Sequence, residues 1–246
     1  MAAGLPSTLS VPALRASVEW SDAAGQWVAL VFDVVDGAPP PLPWTTSTAA
    51  RALAGVGTFS QLATPCPVPD LPPLTDRLAE EFTAWRLLAV QPPEDLYPWA
   101  AARLDWLAAT PDRLAARGSL AGDTLVHLDL RADNLLFTPD GGVVLLDWPW
   151  ACRGPAWVDA VVQALDAAVH GGLDPGRLVD GVPVVAAADA ADVTDFLLGM
   201  AGMWEFSMRR PAPPGLPTLR AFQRRFHDAA LDWVVRRVAV GRCVGC

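Results

Sequence analysis

The stretch from Thr124 to Asp147, TLVHLDLRADNLLFTPDGGVVLLD, leaves little freedom in how it folds. Leu135–Phe137 and Val143–Leu146 are short apolar runs, and Pro139-Asp140-Gly141-Gly142 between them has the chemistry of a tight reversal. That pattern predicts a β-hairpin. Asn134 stands just before its first strand and Asp147 just after its second, so strand pairing brings the two together. Upstream, a further apolar run ends in His127-Leu128-Asp129. One hairpin and its approach therefore carry three side chains suited to a hard metal ion or a reacting hydroxyl.

Such a set fits phosphoryl transfer, where a protein mainly positions reactants and neutralises charge. Oxygen donors at Asn134 and Asp147 suit Mg²⁺, which takes one or two protein ligands and keeps several waters. A carboxylate at Asp129 is placed to orient an attacking hydroxyl and accept its proton. The order His127-x-Asp129, then Asn134, then Asp147 resembles the catalytic and metal-binding segments of protein-kinase-like enzymes. Leu146-Asp147-Trp148 and the run WACRGPAWVD from Trp150 to Asp159 look more like the aminoglycoside phosphotransferase family. The resemblance extends from about Val11 to Val162 and fades towards both ends.

The resemblance implies an α+β, protein-kinase-like fold. Residues 1–36 would be a truncated small lobe, a β-hairpin remnant with the hinge. Residues 37–246 would be a mainly helical large lobe carrying the catalytic loop and the second hairpin. It further implies ATP as phosphoryl donor, Mg²⁺ held by Asn134 and Asp147, Asp129 as the base, and a small-molecule hydroxyl as acceptor. Asp159 would be a buried support for the catalytic loop, and His127 would orient that loop through hydrogen bonds. Phe32 to Val35 stand where the hinge binds adenine, which makes Phe32 and Val34 candidate nucleotide contacts. Arg131 would reach the transferred phosphate, its guanidinium matching phosphate oxygens; an ion pair with Asp133 is the equal alternative.

Two strand-like runs, Leu14–Trp20 and Gln26–Val35, open the chain around a turn at Ser21–Gly25. No glycine-rich phosphate loop precedes them, and the sequence contains no lysine to pair with the α- and β-phosphates. The expectation is a small lobe met partway through, in a truncated chain or a non-catalytic pseudokinase. A first strand without neighbours would offer unpaired backbone groups, and self-association through that edge is expected. Asp36 to Trp44, rich in proline, reads as an extended connector.

From Thr45 onward the pattern is mostly helical: a helix capped at Ser47 or Thr48 and ending near Leu62, a second from Thr75 or Asp76 to about Val90, and a third from Tyr97-Pro98 to about Ala109. A helix is expected from Asp159 to Val169, and two long helices over residues 183–240. Asp192, Asp195 and Glu205 on the latter could meet substrate amines or simply face solvent. Trp148, Trp150 and Trp157 either wall a pocket or pack.

A net charge of -9 argues against general nucleic-acid binding, which needs a basic surface. Charges, prolines or glycines interrupt every apolar run, so no membrane span is expected, and the N-terminus lacks the pattern of a signal peptide. The expectation is a cytoplasmic protein. Cys243-Val-Gly-Cys246 has half the spacing of a zinc site but no second pair nearby, and reads as a mobile tail.

Overall fold

The computed structural model describes residues 5–243, with side chains as far as Ala239. Strands β1 (Leu14–Asp22) and β2 (Gly25–Phe32) pair antiparallel, Trp20 opposite Trp27 with the two rings stacked. They run closer to the turn than their apolar stretches indicate. Asp22 accepts the Ala24 N–H at 2.8 Å and the Trp27 indole N–H at 3.0 Å, and Gly25, at φ 143°, makes the reversal. Val18, Trp20, Trp27, Val28, Leu30, Val31 and Phe32 of this ribbon are exposed.

Helix α1 (Thr46–Leu62) begins two to three residues earlier than expected. Thr45 is its cap, and the backbone N–H and side chain of Thr48 exchange hydrogen bonds with it in a capping box. Ala49, Leu53, Val56 and Phe59 bury one face of α1. The segment from Leu74 to Val90 is not continuous helix: a turn at Leu74–Arg77, a 3₁₀ turn at Glu81–Thr83 and α2 (Ala84–Val90) follow one another. The Pro98 segment likewise breaks into Pro98–Ala101 and Leu104–Ala108. Helix α3 (Thr110–Arg117) ends at Gly118 in the left-handed region, φ 64°.

The central segment supplies β3 (Thr124–Val126), β4 (Leu135–Phe137) and β5 (Val143–Leu145), the last two forming the expected hairpin. Both hairpin edges are stitched. Ala38 of the connector exchanges two backbone hydrogen bonds with Phe137, at 3.0 and 2.8 Å, and Ser10 accepts the Leu145 N–H at 2.9 Å. The connector is thus more than a spacer, because it extends the sheet that carries Asn134 and Asp147. β6 (Cys152–Gly154) pairs antiparallel with β3.

Helix α4 (Val158–Gly171) is buried from Val158 to Ala167, and α5 (Ala190–Met208) is buried over most of its length after Asp192. Gly199 and Gly202 of α5 leave room for the rings of Phe82 and Trp85, and the Trp85 indole donates to the Leu198 carbonyl at 2.8 Å. Helix α6 (Leu219–Cys243) packs along α5 and touches α4. Cys243 lies in its last turn, while Cys246 falls outside the described residues. Asp192, Asp195 and Glu205 neither face solvent nor stand free for a substrate. Asp192 and Asp195 are paired with Arg117, Asp195 also with Arg113, and Glu205 with Arg209 and His227. Among the described residues, no helix is long and apolar enough to cross a membrane.

Candidate active site

β3 runs into the body of the protein and delivers His127 fully buried. Its Nε2 lies 2.6 Å from the Leu146 carbonyl, which only accepts, so Nε2 carries the proton; Nδ1 then accepts the Asp129 N–H at 3.2 Å. Burial lowers the imidazole pKa from 6.5 to about 4, so the ring is neutral in the physiological range. His127 therefore links two segments by hydrogen bonds, the loop at Asp129 and the strand end at Leu146.

Asp159, one residue into α4, accepts the His127 N–H at 2.8 Å and the Leu128 N–H at 2.9 Å. Leu128 sits at φ 69°, a conformation costly for a branched side chain, and this carboxylate is part of what holds it there. Burial pushes the Asp159 carboxyl up to about 6, with the two N–H groups pulling the other way. Further along the same helix, buried Asp166 accepts the Ala132 N–H at 3.1 Å, the Trp44 indole N–H at 2.7 Å and His170 Nδ1–H at 2.8 Å. Asp159 and Asp166 are seven residues apart in a helix and so share a face. The sequence reading picked out Asp159 but not Asp166, Trp44 or His170. The seven-residue spacing of the two aspartates was the available signal.

Between those anchors the loop presents Asp129, Arg131 and Asn134. Burial raises the Asp129 carboxyl above the ordinary carboxylate range, opposed by the Arg131 guanidinium and reinforced by the charges of Asp133 and Asp147. Arg131 donates to Asp129 Oδ1 at 2.7 Å and grips Asp133 with two bonds of 3.0 Å. The ion pair with Asp133 is therefore formed, and Arg131 meets Asp129 as well. The Asn134 amide nitrogen donates to the Asp129 carbonyl at 2.8 Å, which leaves its oxygen free of that bond. Across the hairpin mouth, the Leu146 N–H bonds to the Asn134 carbonyl at 2.9 Å, and Asp147 follows at φ 60°. The hairpin thus brings Asn134 and Asp147 together as its strand pairing requires. One amide oxygen and one carboxylate are hard donors, a set that fits Mg²⁺.

Phe32 closes β2 and Val34 follows two residues later. Val34 is 97% exposed and Phe32 is exposed at the end of β2, where the Asp33 N–H bonds to the Ala13 carbonyl. The three tryptophans mostly pack: Trp148 against Phe59 and His127, Trp157 edge-on to Phe196, and the half-exposed Trp150 under the Arg77 guanidinium. Beside the loop lies a cleft of about 440 Å³, lined by Leu42, Arg131, Asp133, His170, Leu219 and Phe222 among others.

The sequence matches the model of a phosphotransferase enzyme family over residues 1–182, well over half of the chain. The chain belongs to this family. Solved structures agree on the fold. An aminoglycoside phosphotransferase from Alicyclobacillus acidocaldarius superposes with a TM-score of 0.53 at 16% identity, covering 90% of this chain and 73% of that one. The choline kinase LicA from Streptococcus pneumoniae gives 0.54 at 11% identity, covering 89% and 74%. A choline/ethanolamine kinase family protein from Mesorhizobium loti gives 0.55 at 14% identity, covering 93% and 74%. No curated protein sequence matches. This member of the phosphotransferase family therefore has the protein-kinase-like α+β fold, with a single β-hairpin where the small lobe stands and a helical large lobe around the loop and second hairpin.

Proposed function

We propose that the chain is an ATP-dependent phosphotransferase that moves the γ-phosphate to a hydroxyl of a small molecule. The observation that carries this reading is the grouping of a partly buried Asp129 with Asn134 and Asp147 at the mouth of one hairpin. These side chains serve chemistry better than packing, and the chain holds Leu128 and Asp147 in positive-φ conformations beside them.

In this reading Asp129 accepts the proton of the acceptor hydroxyl as its oxygen attacks phosphorus and the bond to the β-phosphate bridging oxygen breaks. Asn134 and Asp147 would hold Mg²⁺, which when bound neutralises charge on the donor phosphates. Arg131 steadies Asp129 and balances its charge, and is within reach of a phosphoryl group arriving at that carboxylate. The acceptor occupies the cleft walled by Leu219 and Phe222 of α6. Residues 1–36 act as the small lobe with the hinge, 37–246 as the large lobe, and Phe32 to Val35 present backbone to adenine. Reliance on ATP fits a cytoplasmic setting.

A second reading, a non-catalytic relative acting as a binding protein, is favoured by the lack of any lysine in the sequence. Calorimetric titration with ATP, with and without Mg²⁺, separates the two. Mg²⁺-dependent binding that Asp147→Asn loses, followed by phosphate transfer to one of a panel of small alcohols, is the expected result. Absence of both would leave the second reading.

A further inference from the structure

Ala132 lies between Asp129 and Asn134, and its backbone N–H bonds to the carboxylate of Asp166. The same oxygen accepts the indole N–H of Trp44, the last residue of the connector before the α1 cap. The other oxygen accepts a hydrogen bond from His170 Nδ1–H, and His170 Nε2 accepts from Arg225 on α6 at 3.2 Å. One imidazole tautomer satisfies both ends of this chain of bonds. The Trp44 N–H bonds in turn to the His170 carbonyl, and Gly171 leaves no side chain to displace the Trp44 backbone.

We infer that Asp166 is a positioning residue for the reaction: through Ala132 it fixes the loop midway between Asp129 and Asn134, and through Trp44 it ties that loop to the connector. The inference rests on the phosphotransferase reading for its catalytic consequence, although the tether itself does not. Asp159 holds only the entry to the loop, at His127 and Leu128, some residues before the metal-site asparagine. Without a second anchor, Arg131 and Asp133 could swing as a pair and carry Asp129 with them. The titratable and charged groups around Asp166 are Arg131 and Asp133 on the loop, His170 on its own helix and Arg225 beyond. Burial pushes its carboxyl above the usual range, while the Trp44, His170 and Ala132 bonds favour the ionised form. The bonds therefore matter to its charge as well as to its aim.

The test is residue-resolved amide exchange on the full 246-residue chain, comparing wild type with Asp166→Ala and Asp166→Asn. Loss of the anchoring bond should speed exchange at Ala132 about tenfold in Asp166→Ala, while His127 and Leu128, still held by Asp159, stay protected. Asp166→Asn keeps one accepting oxygen and should restore part of that protection; it also serves if the alanine variant fails to fold. In MgATP hydrolysis without an acceptor, kcat should fall on the order of 100-fold in Asp166→Ala with KM for MgATP unchanged, as misplacement of a reacting group does. Unchanged exchange at Ala132, or equal acceleration at all three amides, overturns the inference. A wild-type chain that neither binds MgATP nor transfers phosphate to any alcohol of the panel, yet shows the Ala132 response, supports the tether and overturns the phosphotransferase reading instead.

Discussion

The Asp159 carboxylate sits 2.8 Å from the backbone nitrogen of His127, two buried ionisable residues whose proton affinities are displaced in opposite directions. Asp159 is pushed up to about 6, against about 3.9 when unfolded. Between those values the folded chain holds a proton that the unfolded chain lacks, so this group's contribution to stability falls as pH rises from about 4 to 6. His127 is lowered from 6.5 to about 4, so there the unfolded chain binds the extra proton and stability is lost as pH falls through the same window. The two slopes oppose each other. Unfolding midpoints against pH should therefore be nearly flat for wild type between pH 4 and 6. Asp159→Asn should expose a rising limb and His127→Gln a falling one, each of the order of 3 kcal/mol across the window. Parallel curves for both variants would contradict the assignment.

Asp129→Ala should lower phosphate transfer by about 10²–10⁴-fold, the usual reach of a general base, with little change in MgATP affinity. Steady-state kinetics beside calorimetry would check it, and undiminished turnover would remove Asp129 from the reaction.

Arg131 opposes the upward displacement of the Asp129 carboxyl. Replacing it with Gln should move the acid limb of the kcat–pH profile to higher pH, since Asp129 must be ionised to accept a proton. An acid limb unmoved by the substitution would mean that another group sets it.

Asp147→Asn should abolish the Mg²⁺ dependence of ATP binding while leaving the fold intact, because Asp147 is not a core residue. Circular dichroism melts run beside the titration would separate loss of metal from loss of structure.

The β1–β2 ribbon exposes seven large apolar side chains, and β2 from Gly25 to Phe32 carries no charge to blunt its edge. Concentration-dependent self-association is expected in analytical ultracentrifugation, weakened by Val28→Lys with Leu30→Lys. A monomer at all concentrations would count against it.

How far the sequence revealed the site depended on how local the determining contacts were. Asn134 and Asp147 were legible because a hairpin's register follows from its own strands and turn. Asp159 was legible from its place in a recognisable run. For Asp166 the seven-residue spacing from Asp159 marks only a shared helix face; its partners Trp44 and Ala132 come from remote parts of the chain, and nothing in LDAAVHG announces them. The helix from Thr75 to Val90 was overextended for a similar reason. Its spacing of Leu78, Phe82, Trp85 and Leu88 satisfies helical packing, but Phe82 and Trp85 are drawn onto the glycines of α5, and the backbone breaks to reach them. Phe32 and Val34 were placed by analogy with a hinge, and their side chains are turned out to solvent.

The backbone exchange between Ala38 and Phe137 limits where this molecule can bend. With the connector sewn to the second hairpin from Ala38 and pinned again at Trp44, and with Ser10 bonded to Leu145 ahead of β1, the ribbon joins the helical body through two short segments, one between Ser10 and β1 and one between Asp33 and Ala38. A donor nucleotide entering beside the connector would thus meet a ribbon held at both of its ends, and the clearance available to it would be set by those two short segments and not by the nine-residue proline-rich run of Asp36 to Trp44.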